Sequence, residues 1–84
     1  MINKSLLLSS LEIALAVAED ALPERERELR ALLWANNRVS CIDEIGDPQQ
    51  KKVALEVKAQ VDALKDLVHE LNVMISIFRA FKYL

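Results

Sequence analysis

Residues 36–50 read NNRVSCIDEIGDPQQ, and this stretch is the one clear break in the helical pattern of the chain. It holds the only glycine, Gly46, and one of the two prolines, Pro48. Asp47 can cap free amides at a helix start, and Pro48 suits the first helical position because an amide hydrogen there would be unpaired anyway. The sequence therefore predicts a break at about residues 40–47 and a helix that begins at about Pro48.

Before the break, apolar residues recur every seven positions, which is the repeat of a helix packed along another helix. One set of positions holds Leu8, Leu15, Leu22 and Leu29. The matching set, three residues later, holds Leu11, Ala18, Leu32 and Val39, with Arg25 as its charged member. We predict a helix over about residues 3–39, which Pro23 either kinks or divides in two because proline lacks an amide hydrogen and crowds the preceding turn.

After the break, the same spacing continues. Its main positions are Val57, Leu64, Leu71 and Phe78. We predict that the companion positions are Val53, Leu67, Met74 and Phe81, and that the stripe is widened by Val61, Val68 and Ile75. This predicts a second helix over about residues 48–82. Two helices of similar length joined by a short break fold back on each other, so the predicted fold is all-α, a single antiparallel helical hairpin spanning residues 1–84.

Composition limits the classes of function. Thirteen acidic and eleven basic residues give a net charge of −2, which offers no general attraction to nucleic acid or to anionic membranes. A chain of 84 residues buries a smaller fraction of its surface than a larger domain does, so help from a second chain is expected. The single cysteine, Cys41, has no partner for an internal disulfide, and we expect a cytoplasmic protein.

The N-terminal stretch resembles a secretory signal, with Lys4 followed by an apolar run over residues 6–18. Glu12 interrupts that run, and the run continues in helical register into the rest of the chain. We therefore expect no cleavage there. The run is also too short and too charged to span a bilayer, so no membrane insertion is expected.

Candidate catalytic and metal-binding residues are few. Asp66 and His69 are three residues apart on a predicted helix, but one histidine and one cysteine fall short of the three or four ligands of a zinc site. The pair is predicted to lie on the solvent side. Without a glycine-rich phosphate loop or a base placed near a serine, we predict no enzymatic activity, no cofactor and no metal.

The apolar residues are unevenly distributed between the two ends of the predicted hairpin. The end near the break is heavily charged, whereas the open end is apolar on more than one side of each helix, which calls for more cover than one partner helix supplies. Trp34 is predicted to lie opposite the seam between the helices, as a possible contact. We predict a protein-binding surface made of Leu8, Leu11, Leu15, Trp34, Leu71, Met74, Ile75, Phe78 and Phe81. Either a different protein or a second copy in a homodimeric bundle, as in a small phage or regulatory protein, would cover it.

One segment is similar to a DNA-binding region. Leu22-Pro23-Glu24-Arg25-Glu26-Arg27 resembles the start of the promoter-recognition region of bacterial sigma factors. The resemblance ends at Gly46-Asp47-Pro48, where the helix-turn-helix would continue. A DNA-binding regulator is the less favoured alternative because such modules carry a basic face for phosphates.

The helix start Asp47-Pro48-Gln49-Gln50, together with the two-helix architecture, resembles the small E-type co-chaperones of type III secretion systems. These are helical hairpins of similar size whose second helix ends in an apolar and aromatic stretch. The resemblance implies a partner chaperone built of helical repeats. It also implies a function in virulence, in which the two proteins keep a self-polymerising needle subunit monomeric in the bacterial cytoplasm.

Overall fold

The computed structural model describes residues 3–36 and 40–81, and it confirms the predicted all-α hairpin. Helix α1 spans Lys4–Ala35, a short 3-10 helix spans Ile42–Glu44, and helix α2 spans Pro48–Ala80. The two long helices pack side by side along their length and form a rod of 56 × 18 × 16 Å. Helix α1 ends one residue before Asn36 and helix α2 one residue before Phe81, and neither of these described residues is helical, so both helices end earlier than the predicted residues 39 and 82. Residues 37–39 and 82 lie outside the described residues.

Side chains fix the start of each long helix. The side chain of Asn3 accepts a hydrogen bond from the amide of Leu6 at 3.2 Å, and that of Asp47 accepts one from the amide of Gln49 at 2.9 Å. Each of these bonds pairs one of the amides that a helix start leaves without an internal acceptor. The predicted helix start at Asp47 and Pro48 is therefore confirmed.

Pro23 lies inside α1, which is one continuous helix, so the alternative in which Pro23 divides the first helix in two is wrong. The proline removes the amide that would donate to the carbonyl of Glu19, four residues earlier. Both residues lie on the exposed side of the helix, where water can take over the missing hydrogen bond. The helix therefore continues through this position.

The seam between the helices consists of the heptad positions a and d. It matches the prediction for the described residues of α1, whereas the predicted Val39 lies outside them, and it matches only in part for α2. In α2 the seam is formed by Ala54, Val57, Val61, Leu64, Val68, Leu71, Ile75 and Phe78, all of them buried or half-buried. The predicted companion residues Val53, Leu67, Met74 and Phe81 instead keep 38–54% of their surface exposed. That part of the prediction is wrong, because the set four residues after each main position faces α1, and the set three residues after it faces solvent.

The connection packs against the helices at the closed end of the hairpin. Ile42 and Ile45 are buried, together with Ala54 of α2, and the apolar side chains of Leu29, Leu32 and Leu33 pack against this cluster. Neither isoleucine belongs to the predicted seam, because both fall in the predicted break at about residues 40–47. Their burial against Ala54 packs the connection onto the start of α2.

Candidate protein-binding surface at the open end

The two flanks of the hairpin, on either side of the seam, differ in chemistry. A heptad register with the seam at a and d places the e positions of both helices on one flank and the g positions on the other. On the e side, Arg79 of α2 forms an ion pair with Glu12 of α1 at 2.9 Å. We call this side the charged flank. Its remaining charged e positions are Glu19 and Glu26 in α1 and Lys51, Lys58 and Lys65 in α2.

The g side of the open half is apolar. Its g positions are Leu7, Ala14 and Ala21 in α1 and Leu67, Met74 and Phe81 in α2. We call these six residues the apolar flank. The c positions beside it carry Val17 and Ile77, and over residues 4–21 and 63–81 the one charged residue at a g or c position is Glu70. This flank therefore lacks the charges that keep the opposite flank solvated.

The apolar surface continues from this flank onto the back of each helix, opposite the seam. Leu6 and Ile13 of α1 are 67% and 66% exposed, and Val73 of α2 is 41% exposed. We define the open-end surface as all the strongly exposed large apolar residues of this half. Its members are Leu6, Ile13, Val17, Leu67, Val73, Met74, Ile77 and Phe81, with exposures between 41% and 67%.

The open-end surface is large for a chain of this length. Eight such side chains together expose on the order of 800 Å², and a standard protein interface buries roughly 800 Å² on each partner. This area is spread over the apolar flank and the backs of α1 and α2, which face in opposite directions. A partner on one side of the hairpin therefore covers a part of it.

The structure divides the predicted binding residues into two groups. Met74 and Phe81 belong to the open-end surface, and Trp34, near the closed end, is 64% exposed. The other six lie in the seam, where Leu71 and Ile75 are 6% and 5% exposed and Leu8, Leu11, Leu15 and Phe78 are half-buried. Because α1 and α2 cover these six side chains mutually, a folded hairpin does not offer them as a docking surface.

Six members of the open-end surface were not among the predicted site residues. They are Leu6, Ile13, Val17, Leu67, Val73 and Ile77. Leu6 and Ile13 share the f position of the heptad, seven residues apart on the face opposite the leucine seam. The sequence signal that could have identified Leu6 and Ile13 is therefore an apolar residue at an f position, on the face opposite the seam.

The closed end has polar contacts that belong to its own local structure. The amide and hydroxyl of Ser40 donate to the carboxylate of Glu44 at 3.2 and 3.1 Å. These bonds, with a weaker one from the side chain of Cys41, hold the pKa of Glu44 below its ordinary value because they favour the charged form. The stabilisation is present above the pKa of the unfolded chain and is lost as the pH falls through the lowered pKa.

We expect Ser40→Ala to raise the pKa of Glu44 part of the way towards its ordinary value. The substitution removes the hydroxyl donor but leaves the amide bond, which makes the larger contribution. An NMR titration of the Glu44 side-chain carboxyl carbon measures this change, with Ser76→Ala in α2 as a control that leaves the titration unaltered. An unchanged Glu44 pKa in Ser40→Ala would contradict the role given to the hydroxyl.

Within residues 3–36 and 40–81, no group of three or more His, Cys, Asp or Glu side chains lies close enough to hold a metal ion. Asp66 and His69 are exposed, as the sequence predicted for a solvent-facing pair. In the same part of the chain, no helix is long and apolar enough to cross a membrane.

Comparison of the chain with protein-family models, with curated proteins and with solved structures gives no match.

Proposed function

We propose that this protein is a non-enzymatic binding module that covers an apolar helical surface of another protein. The observation that carries the proposal is the open-end surface, whose eight large apolar side chains the hairpin leaves 41–67% exposed. Removing such a surface from water is worth roughly 25 cal/mol per Å², before the costs of association are subtracted. A partner that aggregates through its own apolar helix is stabilised when this module covers it.

The back of α1 supports a helical partner. Ile13 lies seven residues after Leu6, and Val17 lies four residues after Ile13, which are spacings found among the anchors of helices that pack into apolar grooves. The residues between them on this face, Ser9, Ser10 and Ala16, are small and exposed, so a second helix can approach closely. A groove built of paired helices, as in helical-repeat proteins, has the complementary shape.

More specifically, we propose that the protein is a cytoplasmic co-chaperone. The resemblance of the Asp47–Gln50 helix start and of the hairpin architecture to the E-type co-chaperones of type III secretion supports this function. In that function the partner is a chaperone of helical repeats, and the complex keeps the needle subunit from polymerising. A module that works by covering apolar surface needs no catalytic group.

Site-specific photo-crosslinking in the cells that produce the protein tests the proposal. A photoreactive amino acid at Ile13, on the open-end surface, is expected to crosslink to one defined protein other than the chain itself. The same amino acid at Asp62, an exposed position on the opposite side of the hairpin, is the matched control and is expected to give no such product.

The crosslinked partner is then purified and titrated with the wild-type protein and with Ile13→Glu. We expect the charge at this exposed position to weaken the complex at least tenfold while far-UV helicity stays unchanged, because Ile13 contributes little to the seam. Identical crosslinking products at Ile13 and Asp62, or equal binding of the Ile13→Glu protein, would exclude the open-end surface as the binding site.

A further inference from the structure

We propose that the apolar flank packs against the same flank of a second copy of this chain, forming a symmetric four-helix bundle with both open ends at the same end. The inference rests on the open-end surface of the proposed function and gives one part of that surface a definite occupant. The back of α1, with Leu6 and Ile13, stays on the outside of this bundle and remains available to a different protein.

The difference between the flanks selects the side on which the second copy packs. The charged flank is crossed by the Glu12–Arg79 ion pair and carries Glu19, Glu26 and Lys65 in the same row. Burying these charges against a second copy would remove them from water at a cost that an exposed pair does not recover. The apolar flank has no charge at its six positions, and the charged residues beside it are Glu70, at a c position, and Arg25, which lines a groove with Leu67. Packing on this side therefore removes fewer charges from water.

Side-chain sizes on the apolar flank are complementary to those of the same flank on a second copy. In the open half, α2 contributes Leu67, Met74 and Phe81, whereas α1 contributes Ala14 and Ala21 at nearly the same levels along the rod as Met74 and Leu67. A two-fold axis along the rod places α1 beside the α2 of the second copy, running antiparallel. Leu67 and Met74 of each α2 then meet Ala21 and Ala14 of the other α1, which is the large-to-small contact that dense packing favours, and Phe81 meets Leu7.

The gradient of polarity along the rod sets the relative direction of the two copies. Towards the closed end, the g positions are occupied by Glu28 and Ala35 in α1 and by Gln60 and Val53 in α2, and the neighbouring c positions include Glu24 and Glu56. When both copies have their open ends at the same end of the bundle, the apolar g positions of one copy lie beside the apolar g positions of the other. Glu28 then lies near Gln60 of the second copy. A reversed copy would bring Met74 and Leu67 towards the charged half, leaving the apolar side chains without apolar cover.

The available area is adequate for a dimer. Five large side chains at g and c positions, Val17, Leu67, Met74, Ile77 and Phe81, keep 41–64% of their surface exposed. Together with the alanines they offer on the order of 600 Å² per copy, which approaches the roughly 800 Å² that each partner buries in a standard interface. A hairpin of 84 residues has a small core of its own, so burial of this size adds substantially to its stability.

Sedimentation equilibrium of the purified protein tests the dimer. We expect a species of twice the chain mass of 9.5 kDa that persists at high salt, because the interface is apolar. Met74→Glu places a charge on the apolar flank and is expected to raise the dissociation constant at least a hundredfold. Its matched control is Val73→Glu, since the neighbouring residue is also 41% exposed but lies on the back of α2, and this variant is expected to remain dimeric.

Disulfide formation between two different single-cysteine chains tests the arrangement. In a Cys41→Ser background, a chain with Ala14→Cys is mixed with a chain with Met74→Cys and oxidised. The proposed bundle brings these two positions together between copies, so the mixed disulfide is expected to exceed the Ala14–Ala14 product, whose two positions lie on diagonally opposed helices.

A protein that stays monomeric up to millimolar concentration would overturn the inference and leave crosslinking at Ile13 as an independent test of the proposed function. A dimer that Val73→Glu breaks and Met74→Glu does not would likewise overturn it, because such a dimer uses the back of α2. A predominant Ala14–Ala14 disulfide would overturn the proposed pairing of α1 with the other α2.

Discussion

Leu71→Asp is expected to unfold the hairpin. Leu71 is 6% exposed in the seam. The substitution removes an apolar side chain from the core and buries a carboxylate among apolar side chains. Losing the side chain alone, as in Leu71→Ala, costs about 2–4 kcal/mol, and domains of this size have total stabilities of only about 5–10 kcal/mol. The additional free-energy cost of burying the carboxylate exceeds the stability that remains after the leucine side chain is lost.

Circular dichroism of the purified variants measures this effect. Leu71→Asp is expected to show little far-UV helicity at room temperature, and Leu71→Ala to unfold at a lower urea concentration than the wild type. Val73→Asp is the matched control, since it introduces the same charge two residues away at a position that is 41% exposed. If Leu71→Asp and Val73→Asp unfold alike, Leu71 does not lie in the seam.

Variants of exposed residues are informative about binding, whereas variants of seam residues are not. A charge at Leu71, Ile75 or Phe78 perturbs the seam, so a lost complex would reflect a lost fold. A charge at Ile13 or Met74 falls on exposed surface and leaves the seam intact. Binding experiments should therefore use the open-end surface, with helicity measured in parallel.

Pro23→Ala is expected to stabilise the protein by about 2 kcal/mol. Proline in the interior of a helix costs about 3 kcal/mol relative to alanine, because it removes one hydrogen bond and crowds the carbonyl four residues earlier. The stiffness of proline in the unfolded chain recovers about 0.4–1 kcal/mol of this cost. Alanine restores an amide that can donate to the carbonyl of Glu19, and the exposed position requires no repacking.

Urea unfolding followed by circular dichroism measures the change in the free energy of unfolding. Glu24→Ala, at the adjacent exposed position, is the control and is expected to change stability by only a few tenths of a kcal/mol. An unchanged or lower stability of Pro23→Ala would show that the local geometry at Pro23 improves the packing of α1 against α2.

The sequence predicted the helical parts of this fold because they rest on local chemistry. Asp47 and Pro48 identify a helix start wherever they occur before a periodic segment, and the seven-residue spacing of Leu8, Leu15 and Leu22 indicates a seam without reference to the partner helix. The position of the break followed from the same signals. The uneven distribution of apolar residues between the two ends was also visible in the sequence, since it depends on composition alone.

The tertiary structure decided which face of α2 is covered. Val61 and Val68 lie four residues after a main seam position, and Leu67 and Met74 lie three residues after one, so periodicity alone does not separate the two sets. The rotation of α2 about its axis separates them, and Ile42 and Ile45 pack against Ala54, which belongs to the buried set. A contact between a loop and a helix leaves no period in the sequence. For that physical reason the buried residues Val61 and Ile75, and the exposed residues Leu67 and Met74, could be told apart only once the helices were packed together.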